Sequence, residues 1–467
     1  MSIADKNTAL DYALEDSSAN HSAPLYKKNI FIFDKNRCVG CDACVIACVN
    51  ENGFQSPETW RSVSKSNPQH FPGLPLFHLS MACNHCDYAP CEDSCPAQAF
   101  YFDKKTGAIL HDSESCIGCK YCTWTCPYDA PKFNPVQGII EKCTFCNHRI
   151  EKGLKPSCAN LCPTGALDFA FIDLSPDEAL ESSPVSVKVG SSLKIIELQN
   201  PSSPKLDIKL FDAPIKSSPD APSPKSISAK KEWSLVVFSI ISSIMLGLYL
   251  AKTTISSSIY LKWVIIGSGA SAATISLLHL GKKGRAWRAI TNIEKSWLSR
   301  EILFFVFFFV SLIIDFFFWD IPDIVPVING VLLLSSVDML YKPIMWKWRM
   351  KIHSAQSLFI AIGIWLAISQ YFYLFLFLSL ARITLYFLRK IRNSKNQLII
   401  SITRTGLLIL GSCFVFLSPY LWIGIGLMVL SDFVDRIEFY NELRVPACGI
   451  SSVGFRSSKP SNRDTVY

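Results

Sequence analysis

Sixteen of the chain's eighteen cysteines lie between Cys38 and Cys162. They form four runs, and the spacing within each is tight enough to dictate what the front of this chain can fold around. The first is C-x2-C-x2-C-x3-C (Cys38, Cys41, Cys44, Cys48), and the third repeats it (Cys116, Cys119, Cys122, Cys126). The second is C-x2-C-x4-C-x3-C (Cys83, Cys86, Cys91, Cys95), and the fourth is stretched to C-x2-C-x11-C-x3-C (Cys143, Cys146, Cys158, Cys162).

Three closely spaced thiolates let one loop wrap three irons of a 4Fe–4S cubane, and in two-cluster ferredoxins the fourth cysteine of such a run ligates the other cluster. Four runs therefore imply four 4Fe–4S clusters in two ferredoxin-like pairs. The fourth cysteine, followed by Pro96, Pro127 or Pro163 in three runs, is expected to start a helix leading away. Structural zinc is the competing reading, but zinc sites pair two C-x2-C knuckles and have no use for a C-x3-C-P tail. Cys413 and Cys448 are left over, and are expected to be a buried apolar filler and a tail residue.

At 467 residues the chain has room for two or three domains. Its front half is polar and cysteine-rich; from Trp233 onward Leu, Ile, Phe and Val dominate. A net charge of +8 points to a membrane surface or to nucleic acid. With the thiols committed to iron, cysteine number says little about redox compartment. Residues 1–28 are a polar arm with no apolar signal region and no twin arginine.

Asn29-Ile-Phe-Ile-Phe33 is a strand candidate feeding the first run. Residues 49–76 read as a Pro/Ser/Asn-rich insertion, and Phe77–Met81 delivers the chain to Cys83. Residues 99–110 read as a hairpin turning at Thr106-Gly107, and 166–171 closes a domain spanning 29–173. Residues 174–231 read as a Ser/Pro/Lys-rich linker, with apolar snatches such as Leu193–Leu198.

Leu79-Ser-Met-Ala-Cys-Asn-His-Cys86, Ser115-Cys-Ile-Gly-Cys-Lys-Tyr-Cys122, Cys126-Pro-Tyr-Asp-Ala-Pro131 and Cys162-Pro-Thr-Gly-Ala-Leu-Asp-Phe169 resemble the iron–sulfur subunit of dimethyl sulfoxide reductase, one of the four-cluster electron-transfer subunits of molybdopterin oxidoreductases. The resemblance covers residues 29–173. It implies shared ligation: Cys38, Cys41 and Cys44 with Cys162; Cys143, Cys146 and Cys158 with Cys48; Cys83, Cys86 and Cys91 with Cys126; Cys116, Cys119 and Cys122 with Cys95. In some relatives the Cys119 position is tryptophan and that cluster has three irons; cysteine here implies four irons at all four.

Apolar stretches follow at 233–250, 255–280, 302–319, 321–340, 354–388, 398–417 and 421–440. Most approach the roughly 20 residues needed to cross a bilayer. The fifth would be about 50 Å long as one helix, so it is split near Gln370, giving eight spans over residues 232–440 and a polar tail at 441–467. The expected architecture is an α+β ferredoxin-like four-cluster domain followed by an all-α membrane domain of eight transmembrane helices. The basic residues support this. Lys225, Lys230, Lys231, Lys282, Lys283, Arg285, Arg288, Lys295, Arg300, Lys342, Lys347, Arg349, Lys351, Arg389, Lys390, Arg392, Lys395, Arg436 and Arg444 all fall on one face if the fifth stretch is a hairpin. That face and the cluster domain are then cytoplasmic, at a bacterial inner membrane, and nucleic acid drops out as a partner.

Leu277-Leu-His-Leu-Gly281, Arg288-Ala-Ile290, Ser296-Trp-Leu-Ser-Arg-Glu-Ile302 and Val337-Asp-Met-Leu-Tyr341 followed by Trp346 resemble the dimethyl sulfoxide reductase membrane anchor. The whole sequence thus resembles electron-transfer and anchor subunits fused end to end. Quinol oxidation needs a hydrogen-bonding acid or base at each oxygen and an electron acceptor nearby. Glu301 falls on the S-x-E-I glutamate implicated in quinol binding in that family, and His279 ends the preceding span on the same face. A helix-dipole carboxylate and an interfacial packing residue are the competing roles, and Arg300 reads as a positive-inside residue or an orienter of Glu301. Asp315 is placed to snorkel at the far face, and Asp338 to join the quinol pocket or pair with Arg382 or Arg404.

After residue 231 only His279 and His353 remain, so no bis-histidine haem is expected. No molybdopterin-sized domain, dinucleotide fingerprint or P-loop is evident. The expected function is oxidation of menaquinol and delivery of its electrons through the clusters to a separate molybdopterin catalytic subunit. A polysulfide- or tetrathionate-type complex, reverse flow into the quinone pool, and an assembly scaffold with degenerate clusters are the alternatives.

Overall fold

In the computed structural model, residues 26–53, 58–67, 75–174, 189–199, 227–255, 259–341, 353–390 and 398–443 are described. Strand β1 (Tyr26–Asp34) buries Ile30, Phe31 and Phe33 and leads into the first cysteine run. Helix α1 (Ala43–Asn52) carries Cys44 and Cys48. Strands β2 (Ser62–Lys65) and β3 (His78–Met81) pair antiparallel, so the expected insertion contains both a helix end and a strand. Then come α2 (Pro90–Ser94), the hairpin of β4 (Phe100–Asp103) and β5 (Ala108–His111), α3 (Tyr121–Thr125), the hairpin of β6 (Lys132–Asn134) and β7 (Ile139–Glu141), and the short helices α4 (Asn147–Ile150) and α5 (Ser157–Asn160). Strand β8 (Leu167–Leu174) returns antiparallel to β1, with Phe31 opposite Phe169. The rings of Phe31, Phe145 and Phe169 meet edge to face, which ties the strands to the fourth cysteine run.

The expected 174–231 linker is not wholly a linker. Strand β9 (Leu193–Ile196) lies parallel to β1 as the third strand of the sheet β8-β1-β9. Just before it, the Ser192 amide and hydroxyl bond the carbonyls of Asn84 (2.7 Å) and His85 (2.9 Å). Its four residues are too few to rise above a polar, proline-rich background when read as sequence.

The back half contains eight α-helices among the described residues: α6 (Trp233–Leu250), α7 (Ile259–Leu277), α8 (Trp297–Phe317), α9 (Ile324–Met339), α10 (Ser357–Ile368), α11 (Phe372–Lys390), α12 (Leu398–Phe416) and α13 (Leu421–Glu442). The long apolar stretch does break where length required. Helix α10 ends at Ile368, Gln370 takes a left-handed backbone at φ 59°, and α11 starts at Phe372. By length and composition α6, α8, α11 and α12 are sufficient to cross a membrane, and α9 and α10 are shorter apolar helices.

Helix α6 is the hub, packed by α7, α9, α10 and α13. Without a hydrophobic driving force between lipid-embedded helices, close approach relies on small residues. A Cβ on Gly424 would lie 2.7 Å from the Gly411 carbonyl, and one on Gly411 would lie 2.9 Å from that of Gly424. Cys413 lies two residues on from Gly411 in α12 and is exposed, not a buried filler; Cys448 lies outside the described residues.

Gly424→Val should therefore lower the thermal unfolding midpoint in detergent, overpacking costing about 1–3 kcal/mol. Gly426→Ala, with nothing within 4 Å of its Cβ, should not lower it.

Candidate functional site

The cysteine loops repeat one backbone device. The residue before the second cysteine has positive φ in every run: Gly40 at 70°, His85 at 41°, Gly118 at 70° and Phe145 at 63°. For His85 and Phe145 this is a strained conformation of the kind that persists at functional sites. A second device follows the Cys-Pro pairs. Gln98, Asp129 and Gly165 take φ of 49°, 51° and 61°. The turn then aims an amide at sulfur: Ala99 donates to Cys95 (3.3 Å), Ala130 to Cys126 (3.5 Å) and Leu167 to Cys162 (3.4 Å).

The fourth cysteines do not start helices as expected. Cys95 and Cys126 are the C-terminal caps of α2 and α3, with extended backbone at φ −69° and −73°. The proline that follows disfavours helical backbone in the residue before it. Cys48, which has no proline after it, stays within α1.

The fold gathers the cysteines across runs. Cys38, Cys41, Cys44 and Cys162 line one cavity, and Cys95, Cys116, Cys119 and Cys122 another. The remaining cysteines also neighbour thiols of other runs: Cys86 lies near Cys83, Cys91 and Cys126, Cys48 near Cys158 and Cys146, and Cys143 near Cys48, Cys83 and Cys158. Burial, reinforced by neighbouring thiols, pushes Cys48 and Cys126 up to about 12, and burial with the charge of Cys116 pushes Cys95 to about 11. Cys162 goes the other way. Its burial is outweighed by hydrogen bonds from Leu167, Thr164 and Ala166. Cysteines gathered from different runs, with backbone N–H donors aimed at Cys95, Cys126 and Cys162, are the donor set a metal-bound thiolate requires, and ligation would offset the burial that disfavours ionisation. Cysteines gathered in fours around these two cavities fit a polynuclear group.

The set Cys95, Cys116, Cys119 and Cys122 sits against the membrane half. The segment between α7 and α8 grips it. Asn292 donates to the Cys95 carbonyl (2.8 Å), Ser296 to Ser94 (2.8 Å), Thr291 to Pro96 (2.9 Å), Arg285 to Ser113 (2.7 Å), and the Lys282 amide to Ile117 (3.0 Å). Gly281 packs backbone to backbone on Gly118 and Gly138. Tyr121, next but one to Cys119, donates to the Leu340 carbonyl (2.7 Å) at the end of α9. An apolar seam of Tyr121, Trp124, Leu298, Leu340, Tyr341 and Tyr440 joins the halves.

Glu301 lies in the first turns of α8 beside this seam, 4 % exposed, with Oε2 lacking a hydrogen-bond partner among the described residues. The charges acting on it are Arg436 and Asp338. Its own charge, added to burial, helps raise the Tyr121 phenol. His279 has its Nδ1 on the Ser276 carbonyl, with Lys120 as the nearby charge. Arg300 does not orient Glu301; its guanidinium donates to the carbonyls of Ile293 (2.8 Å) and Glu294 (2.5 Å).

Asp338 pairs with neither Arg382 nor Arg404. It receives Arg436 (3.3 Å) and the Ser357 amide and hydroxyl (both 3.0 Å). Arg382 pairs with Asp432, and Arg404 with Asp435 (3.0 Å). Arg389 and Lys390, two of the residues in the charge argument, are bound by Asp435, Glu438 and Glu442. The last two turns of α13 are an acidic face, a periodicity hidden behind an apolar start. At the far end Asp315 is held by Lys252 (2.9 Å) and Tyr249 (3.1 Å) rather than extended into water. Several residues used in the charge argument, Lys225, Lys342, Lys347, Arg349, Lys351, Arg392, Lys395 and Arg444, lie outside the described residues, as does Trp346.

This arrangement defines an iron–sulfur electron-transfer protein built onto a membrane anchor. Residues 75–171 match the 4Fe-4S dicluster domain family, and residues 228–417 match the DMSO reductase anchor subunit (DmsC) family. A polypeptide of the anaerobic dimethyl sulfoxide reductase of Escherichia coli is 34% identical over 151 residues, covering 31% of this sequence and 73% of that one. A tetrathionate reductase polypeptide of Salmonella typhimurium is 36% identical over 155 residues (32% and 60%), and protein NrfC of Escherichia coli 35% over 144 residues (30% and 65%). This polypeptide belongs to the dimethyl sulfoxide reductase iron–sulfur subunit family, with a DmsC-type anchor continuous with it.

If ligands are shared across runs, Cys48→Ser should perturb the same EPR signal as Cys143→Ser, and Cys162→Ser the same one as Cys38→Ser. Cys48→Ser and Cys38→Ser altering one common signal would contradict that grouping.

Proposed function

We propose that this chain oxidises menaquinol beside Glu301 and delivers the electrons to a separate molybdopterin catalytic subunit of dimethyl sulfoxide reductase type. Four 4Fe–4S groups would be held by the four cysteine sets, and when bound they supply one-electron carriers in series. The eight helices of the back half would span a bacterial inner membrane, with the cluster domain on the cytoplasmic face.

The observation that carries the reading is a buried carboxylate with an unpartnered oxygen, set in the seam that Tyr121 and Leu298 share with the Cys119 loop. A carboxylate there can accept a proton from a quinol hydroxyl. Arg436 and Asp338, bound to each other, fix the field around it. Tyr121 and the Asn292 and Ser296 bonds hold the Cys95 and Cys119 loops against that end of the membrane half, so the distance an electron covers stays short. His279, half-buried near Lys120, is the candidate for the second quinol oxygen.

At the opposite pole the Cys38 set opens to solvent. Cys41 is exposed, and Val39, Ile46 and Leu161 beside it are each more than half exposed. Apolar side chains around an exposed ligand suit a catalytic partner docking there. The similarity to the tetrathionate reductase polypeptide keeps a tetrathionate-type complex as the second reading; the anchor match favours the first.

Glu301→Gln should slow quinol-driven cluster reduction by about 100-fold or more while dithionite reduction stays intact. Unchanged quinol kinetics would reject the assignment. Val39→Glu should weaken capture of the catalytic subunit without altering quinol-driven reduction, measured by co-purification and stopped-flow absorbance.

A further inference from the structure

Among the described residues of the cluster domain four cations are buried, Lys28, Lys35, Arg61 and Lys142, each 6 % exposed or less. Burying a charge is costly unless an opposite charge is nearby. Lys28 has Asp87 at 2.7 Å and Lys35 has Glu197 at 2.6 Å. Arg61 and Lys142 are different. Arg61 donates to the Ser80 hydroxyl (3.0 Å) and lies over the Phe31 ring (4.8 Å). Lys142 donates to the Cys143 carbonyl (3.1 Å) and the Ile109 carbonyl, with Cys83 Sγ at 3.7 Å. Their described partners are neutral oxygens, a ring and cysteine sulfur.

What offsets their burial is the thiol sets around them. Ser80, its oxygen accepting from Arg61, is left with a hydroxyl proton to donate, and Cys44 Sγ lies 3.4 Å away. Cys158, Cys143, Cys44 and Cys48 are the sulfurs nearest its guanidinium in charge terms, and they come from two sets. Arg61 thus stands between the Cys38 set and the Cys143 set. Lys142 stands between the Cys143 set and the Cys83 set.

We propose that Arg61 and Lys142 are built-in counter-ions of the iron–sulfur groups, positioning residues that raise the reduction potentials of the three sets away from the membrane. The inference rests on the reading that those sets bind clusters. An arriving electron adds negative charge to a group already surrounded by thiolates, and a fixed cation at low dielectric stabilises the reduced form. The bias makes movement away from the membrane end downhill. The same cations would lower the cost of assembling thiolates in a dry core.

The test is an EPR-monitored redox titration of the full-length chain in its membranes, with Lys142→Met, Arg61→Gln and, as control, Lys35→Met. Lys142→Met and Arg61→Gln should each lower at least one midpoint so that the reduced-to-oxidised ratio at fixed potential falls tenfold or more, about 59 mV for one electron. The Lys35→Met variant should leave all midpoints in place. Retained clusters with unmoved midpoints in both test variants would overturn the proposal. Should the neutral variants lose clusters, Lys142→Arg and Arg61→Lys decide. Clusters kept with charge support the counter-ion role, and clusters lost regardless of charge overturn it. Wild-type chain lacking iron would instead overturn the cofactor reading on which this one stands.

Discussion

Bringing sixteen thiols together, twelve of them in a dry interior, is the constraint everything else answers. Left to themselves, buried thiols stay protonated, and burial pushes those of Cys48, Cys95 and Cys126 up to about 11 or 12. Only strong cationic ligation reverses that preference, and the protein prepares for it with several local devices. Left-handed turns point sulfurs inward, amides are aimed at Cys95, Cys126 and Cys162, and Arg61 and Lys142 are buried without carboxylate partners among the described residues. Each device is costly alone and makes sense only around a negatively charged, polynuclear group.

The same constraint organises the join between the halves. An electron-transfer domain has to be held in a fixed relation to its membrane anchor, and the segment between α7 and α8 does this by binding the Cys95 and Cys116 loops through backbone carbonyls. Glycine at 118, 138 and 281 lets three backbones meet there. Carbonyl acceptors suit this purpose because they come from the ligand loops themselves, so shifting the anchor shifts the loops. Glu301 follows that segment directly in sequence. Its position near the Cys119 loop therefore comes from chain continuity as much as from packing.

Much of this was legible from residue order, for physical reasons. Cysteine spacing is local, so loop geometry could be read directly, and a 35-residue apolar stretch, 354–388, is too long for one crossing and breaks at Gln370. Pairings across long distances were not legible. Asp338 could not be matched to Arg436, because the acidic face of α13 becomes visible only once α11 and α12 lie beside it. Strand β9 was hidden because four residues gain their strand character from β1, not from their neighbours. The helices close at Cys95 and Cys126, rather than opening there, because the proline after each disfavours helical backbone in the residue before it.

The central claim is that all four cysteine sets hold cubane clusters in one membrane-bound polypeptide. The most direct measurement is iron and acid-labile sulfide per chain after detergent extraction. The account predicts about sixteen of each; zinc in their place, or about half that iron with intact chain, would contradict it.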